Sequence, residues 1–261
     1  MNGSDRPAFA EERRRLIAET VAVQGGVRST DLVDSFGVSE QTIRKDLGAL
    51  QARGLLKRTH GGAIAVESRP EQPPQERVSQ HREAKLAIAQ KIASLISPGL
   101  SVFLDNGTTL EMVADAITTP DINVLTSAIG VARIMAERPG IRHTLLGGQL
   151  RVLSGSLVGP VAIDNARKFT LDVAVIGAGG LTADGITVAD IAESQVKQAI
   201  IQRARQVIVA LDSSKFGYTD YVGVCGLDQI DVLVTDTETS EVEEWCTDAG
   251  TTILLADQSE S

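Results

Sequence analysis

The sequence predicts an α/β body built on a parallel sheet and preceded by a small helical head, and three observations carry that prediction. From residue 100 onward, short unbroken runs of Val, Ile and Leu alternate with helical stretches and glycine-rich loops, the pattern of strands buried on both faces. Before residue 66 the apolar spacing is helical and ends in a glycine-punctuated hairpin. Between the two, three of the eight prolines, Pro70, Pro73 and Pro74, fall within five residues. Proline fixes its own backbone and disfavours helix in the residue before it, so residues 68–76 read as an extended linker.

The head reads as three helices and a wing. Residues 13–23 carry Leu16, Ile17, Val21 and Val23 along a helical stripe closed by Gly25 and Gly26. Ser29 or Thr30 can cap a second helix through Leu32, Val33 and Phe36, and Gly37 permits a tight turn after it. Ser39 caps a third helix in which Ile43, Leu47 and Leu50 face one way while Glu40, Gln41, Arg44, Lys45 and Gly48 face another. Residues 55–60 then alternate weakly, and Gly61-Gly62 turns the chain into residues 63–66.

In the body, strands are expected at 101–104, 122–125, 143–146, 173–176, 207–211, 232–235 and 252–255. Helices are expected at 83–96, 110–117, 128–136, 161–168, 189–204 and 241–249. Sheets of this kind bind ligands beyond the carboxyl ends of their strands. The loop Asp105-Asn106-Gly107-Thr108-Thr109 would gather N–H groups and hydroxyls at a helix N-terminus, a natural oxyanion or phosphate site. Thr126-Ser127 occupies a second strand end, and Gly147-Gly148, residues 177–180 and Asp184-Gly185 would let a ligand approach the backbone.

Composition narrows the function. The 261 residues carry 25 Lys+Arg against 34 Asp+Glu, a net charge of −9, which argues against a whole surface that coats nucleic acid or anionic lipid. The balance is uneven: residues 1–66 hold 10 basic and 8 acidic side chains, and the remainder 15 and 26. The head is therefore near neutral and slightly basic, and the body strongly acidic. Two isolated cysteines, Cys225 and Cys246, suit a reducing compartment and give no metal spacing. No signal-like stretch opens the chain and no apolar run reaches membrane-spanning length, so a soluble cytoplasmic protein is expected.

The third helix is the strongest local signal. In a helix-turn-helix the second helix enters the major groove, where Gln reads adenine, Arg reads guanine and Lys neutralises phosphate. Ser39, Gln41, Thr42, Arg44 and Lys45 have that chemistry, although an ordinary amphipathic surface helix has the same spacing. The wing favours the DNA reading, because Lys57, Arg58 and His60 would lie near an adjacent groove.

The run from Val38 to Leu47, with Arg13, Ile17 and Val21 before it and Gly54 to Ala63 after it, resembles the DNA-binding signature of the DeoR family of bacterial repressors. The body is similar to that family's sensor domain at Asp105-x-Gly107-Thr108-Thr109, Leu146-Gly147-Gly148, Val158-Gly159-Pro160, residues 177–181, residues 184–187 and residues 212–216. The resemblance implies a winged helix-turn-helix domain at 8–66, a linker at 67–79 and an α/β sensor at 80–257 similar to sugar-phosphate isomerases and CoA transferases. It further implies a repressor of a carbohydrate or polyol catabolic operon that acts on double-stranded operator DNA as a homodimer or homotetramer. A phosphorylated sugar would be the effector, with no cofactor, metal or membrane partner. Carried over by motif, Asp105, Gly107, Thr108 and Thr109 would hold the phosphate, and Thr126, Ser127, Gly147, Gly148, Gly179, Asp184 and Lys197 or Lys215 would line the sugar. The rival is an isomerase-like enzyme with a regulatory helix-turn-helix. In such isomerases a glutamate adjoins the lysine, whereas here Val196 and Gln198 flank Lys197 and the nearest carboxylate on that helix, Glu193, lies one turn earlier.

Overall fold

A computed structural model describes residues 6–24, 26–52, 55–59, 61–65 and 74–256. The chain separates into two compact units, one formed largely of residues up to Ser68 and the other of most of the remainder. His60, the proline-rich residues 68–73 and the end of the sensor at 257 lie outside the described residues.

The first unit contains α1 (Arg6–Gln24), β1 (Gly26–Arg28), α2 (Ser29–Phe36), α3 (Glu40–Ala52), β2 (Leu56–Thr59) and β3 (Gly62–Ala65). Ile17, Val21, Leu32, Ile43, Leu47, Leu50, Leu56 and Ala63 form its core. Ser39 caps α3 as the sequence suggests, its Oγ accepting from the Thr42 N–H at 3.2 Å. The expected cap at Ser29 or Thr30 is not made: α2 begins at Ser29 with no side-chain cap bond, and the Thr30 hydroxyl turns to Asp31 instead. Gly37 takes the left-handed conformation at the end of α2, φ 61°, which a residue with a Cβ adopts only at a cost. The wing has a third strand that the sequence reading omits, because β1 pairs antiparallel with β3 over three residues only. Asp46, in the middle of α3, is buried and accepts from Arg13 Nε at 2.6 Å and Arg14 Nε at 2.9 Å, locking α1 to α3.

The second unit begins with α4 (Pro74–Arg77), α5 (Arg82–Leu95), β4 (Ser101–Leu104), α6 (Thr108–Ala116), β5 (Asn123–Thr126), α7 (Ile129–Ala136) and β6 (Arg142–Leu145). It continues through β7 (Gln149–Arg151), β8 (Ser156–Val158), α8 (Pro160–Ala166), β9 (Leu171–Ile176), β10 (Gly180–Thr182), β11 (Gly185–Val188) and α9 (Ile191–Ile201). Last come β12 (Ala204–Ala210), β13 (Val222–Cys225), β14 (Val232–Thr235), α10 (Ser240–Ala249) and β15 (Thr252–Leu255). The seven strands expected from apolar runs are the seven strands of one all-parallel sheet, ordered β15-β14-β12-β9-β4-β5-β6.

Because side chains alternate along a strand, each strand feeds two cores. Val102, Leu104, Val173, Val175, Ile208 and Val234 pack with α5, α6 and α7 on one face. Phe103, Ala174, Ile176, Val209 and Leu233 pack with α8, α9 and α10 on the other. Two small additions are absent from the sequence reading: the β7-β8 hairpin and the antiparallel trio β10-β11-β13. Their strands are three or four residues long. The linker expectation also needs correction, since Pro74–Arg77 is a helical turn, and proline at a first helical position suits one.

The strand order creates one reversal. From β4 the chain steps outward through β5 to β6, then crosses back to β9 on the other side of β4 and steps outward through β12, β14 and β15. The crevice between the ends of β4 and β9 is therefore the topological switch point, where open α/β sheets bind ligands.

Candidate functional sites: a groove reader and an anion cleft

In the first unit the cap of α3 presents Ser39 and its exposed face presents Glu40, Gln41, Arg44 and Lys45, with Thr42 half-buried, and β2 presents Lys57 and Arg58. Arg44 rests on Glu40 at 3.2 Å, an exposed pair worth a few tenths of a kcal/mol that a nucleic acid displaces cheaply. The Arg58 N–H donates to Gln51 Oε1 at 2.9 Å, joining the start of the wing to the end of α3. A concavity lined by Ser29, Glu40, Arg44, Leu47, Arg58 and Thr59 lies between these elements. Seven of the eight expected DNA-contacting residues thus share one unit, six of them on α3 or β2 and Ser39 at the cap of α3.

The cleft of the second unit lies at the switch point. The loop after β4 supplies Asn106, Gly107, Thr108 and Thr109, the loop after β9 supplies Gly177, Ala178 and Gly179, and the loop after β12 supplies Asp212 and Lys215. Lys197 and Glu193 enter from α9, and Arg77, Gln80, His81 and Lys85 from the segment that opens the unit. Gly107 precedes α6 at φ 123°, open to glycine at little cost, so N–H groups at the helix start are presented to the cleft. At Gly177 a Cβ would stand 2.8 Å from Leu110 Cδ2 and 3.3 Å from the Asn106 carbonyl oxygen, so a larger residue would have to displace the Leu110 side chain for the two loops to approach this closely.

Asp105 makes its contacts inside the protein. Its carboxylate is buried, accepts from the Gly177 N–H at 2.9 Å and pairs with the buried Lys197 ammonium, and it does not line the cleft. Burial pushes the Asp105 carboxyl up, opposed by Lys197 and by the N–H groups of Gly177 and Asn106. Asp105 holds the lysine and ties the β4 loop to the β9 loop. Lys197 also donates to Asn106 Oδ1 at 3.2 Å.

Five other expected positions are not among the lining residues. Thr126 and Ser127 end β5 and Gly147-Gly148 follow β6, one and two strands beyond the switch point. The Thr126 hydroxyl accepts from the Ala128 N–H at 3.0 Å, and Gly148 backs onto Val158 and Ala162. Asp184 stands in the turn between β10 and β11. Conversely, the cleft recruits side chains that local patterns do not mark. Lys85 is 5% exposed, its Nζ donates to the Arg77 carbonyl at 2.6 Å, and burial pushes its ammonium down against the pull of Asp212. Arg77 Nε is buried without a hydrogen-bond partner among the described residues, an orphan donor that a ligand could satisfy. His81 joins the lining in a left-handed conformation, φ 50°, while His143 is an exposed residue of the edge strand β6.

A winged helix-turn-helix with an exposed polar recognition helix, in one chain with an α/β unit whose cleft gathers Arg77, Lys85, Lys197 and Lys215, defines a DNA-binding regulator with a second, cleft-bearing domain. Comparison with known proteins gives the family. Residues 13–69 match the DeoR-like helix-turn-helix domain and residues 80–237 match the DeoR C terminal sensor domain, and the chain belongs to the DeoR family of transcriptional regulators. It is 36% identical over 227 residues to the glycerol-3-phosphate regulon repressor of Escherichia coli strain K12, covering 86% of this chain and 90% of that one. It is 33% identical over 255 residues to the lactose phosphotransferase system repressor of Lactococcus lactis subsp. lactis, covering 94% and 99%. Among solved structures, a D-ribose-5-phosphate isomerase in complex with phospho-erythronic acid is 19% identical with a TM-score of 0.40, covering 52% of this chain and 54% of that chain. No helix among the described residues is long and apolar enough to cross a membrane, and no group of three or more His, Cys, Asp or Glu is placed to hold a metal.

Proposed function

We propose that this regulator represses a carbohydrate or polyol catabolic operon and releases its double-stranded operator when a phosphorylated sugar or polyol fills the cleft. The observation that carries the reading is the convergence of the Gly107-Thr108-Thr109 helix start with Arg77, Lys85, Lys197 and Lys215 at the switch point. Backbone N–H groups and a helix dipole suit a phosphate, and the buried cations strengthen that preference where water is scarce. The printed names of the relatives, repressors of glycerol-3-phosphate and lactose systems, agree with this ligand class.

The chain acts as a homodimer or homotetramer, because one small head of net charge +2 makes few phosphate contacts and needs a second copy for affinity. The acidic remainder repels DNA. A hundredfold loss of operator affinity requires the effector to prefer the non-binding arrangement by about 2.7 kcal/mol, within the ordinary range of coupling energies. Catalysis is not part of this reading. Lys197 is committed to Asp105, Val196 and Gln198 flank it where a catalytic glutamate would adjoin it, and one oxygen of Glu193, a turn away, is held by neighbouring donors.

Thermal shift and gel shift on the full chain with ribose 5-phosphate, glycerol 3-phosphate and glucosamine 6-phosphate test the proposal. A rise in melting temperature with loss of the operator complex supports it. Turnover of any of these compounds would favour the isomerase reading, and no response to any phosphorylated compound would refute the sensor assignment.

A further inference from the structure

Glu193 is a carboxylate that the phosphate reading leaves unused, and it is placed with care. It sits in the first turn of α9, 6% exposed, and lines the cleft. Asp190 caps that turn, accepting from the Glu193 N–H at 3.0 Å, which fixes the backbone beneath the side chain. Three donors converge on one carboxylate oxygen, Oε1: the Ser156 hydroxyl at 3.0 Å, Arg151 Nη1 at 3.4 Å and Asn106 Nδ2 at 3.5 Å. The other oxygen, Oε2, has no hydrogen-bond partner among the described residues. Arg151 also pairs with Asp190 at 3.1 Å, so the β7-β8 hairpin holds both carboxylates of this turn.

The position of Glu193 relative to the anion site is equally defined. Asn106 spans the two, its amide oxygen accepting from Lys197 and its amide nitrogen donating to Glu193, and Gly107 and Thr108 follow directly in the chain. A ligand whose phosphate sits on the helix start at Thr108 therefore brings the carbons next to its phosphate beside Glu193. A bare anion would gain nothing from a carboxylate there and would be repelled by it. Arg151 is shared between Glu193 and Asp190, so the turn keeps an excess of negative charge and favours a hydrogen-bond donor beside it. A hydroxyl fits, and a hydroxyl donating to an ionised carboxylate makes one of the stronger hydrogen bonds available.

We infer that Glu193 reads a hydroxyl adjacent to the effector's phosphate, so the cleft selects phosphorylated polyols and sugars over inorganic phosphate and over alkyl phosphates. The inference rests on the effector reading proposed above. Calorimetric titration of the full chain with inorganic phosphate, n-propyl phosphate and glycerol 3-phosphate tests it, because the last two differ only in their hydroxyls. The wild-type protein binds glycerol 3-phosphate at least about tenfold more tightly than propyl phosphate. In Glu193→Gln the amide oxygen stays with the three donors, the acceptor at Oε2 becomes a donor, and the preference shrinks to about twofold while propyl phosphate affinity is kept. Equal binding of the two organic phosphates by the wild-type protein overturns the inference, whether or not the variant folds. So does an equal loss of all three ligands in the variant, which marks Glu193 as a structural pin for the hairpin. If the wild-type protein binds none of the three, the effector reading itself has failed; binding of all three without preference overturns the role of Glu193 alone.

Discussion

The head and the sensor place the same basic side chains in opposite surroundings. Arg44 is 68% exposed on its helix, whereas Lys197 and Lys85 are 3% and 5% exposed in theirs. Exposed cations meet a large polyanion whose counterions they displace, so their contribution is diffuse, additive and sensitive to salt. Buried cations must be matched one by one, because an unpaired charge in a dry site costs several kcal/mol. The first arrangement tolerates variation and reads a surface. The second suits a small anion.

The largest test of that contrast is stability. Lys197→Ala leaves Asp105 buried without its partner and should lower the unfolding free energy by about 3–5 kcal/mol, measured by urea denaturation. Arg44→Ala should leave unfolding unchanged within about 0.5 kcal/mol. On the operator the roles reverse: Arg44→Ala should cost about 1–3 kcal/mol if Arg44 makes a base contact, and Lys57→Ala should reduce the salt slope by about one. A gel shift unchanged by Arg44→Ala would remove α3 from the groove.

A third test uses pH. Burial pushes the Lys85 ammonium down, so the folded protein binds that proton less readily than the unfolded chain. Stability from this group is therefore reduced while both states are protonated and is recovered as pH rises through the lowered folded value toward about 10.4, the ordinary lysine value. A phosphate in the cleft favours the charged form, so effector affinity should fall over the same rise in pH. Lys85→Met should weaken phosphate binding and flatten that fall, while leaving the melting temperature of the free protein equal or higher. An unaltered pH profile in the variant would exclude Lys85 from the anion site. The smallest expected effect concerns the thiols. Burial pushes Cys225 up to about 12 and Cys246 up to about 11, so neither should react with an alkylating reagent at neutral pH in the folded protein.

The same contrast explains what could be read from residues alone. The recognition helix is a local object: its cap at Ser39, its buried stripe at Ile43, Leu47 and Leu50, and its polar face all lie within one stretch, and periodicity reveals them. The sheet is legible for a similar reason, since each strand is an apolar run long enough to notice. The cleft is not local. Thr108 and Gly179 could be found because they follow strands, but Thr126 and Gly147 follow strands too and stand away from the cleft. The difference lies in strand order, with β9 inserted beside β4, and no local pattern encodes that crossover. Lys85 and Arg151 were missed on the same account: each is an ordinary basic residue on a helix or a short strand until the fold brings it to the cleft or to Glu193. The pairing of Asp105 is not local either, because its spacing marks a loop and only the fold brings it to Lys197, 92 positions away.

On the proposed function, the cleft at the start of α6 controls the head. Thr108→Val preserves shape at a position that is 5% exposed and removes a hydroxyl from the cleft lining. Operator binding followed by fluorescence anisotropy, with glycerol 3-phosphate titrated in, tests it most directly. The variant should bind operator as the wild-type protein does, within about twofold, and fail to release it at effector concentrations that release the wild-type complex. Release at the wild-type concentration would contradict the claim.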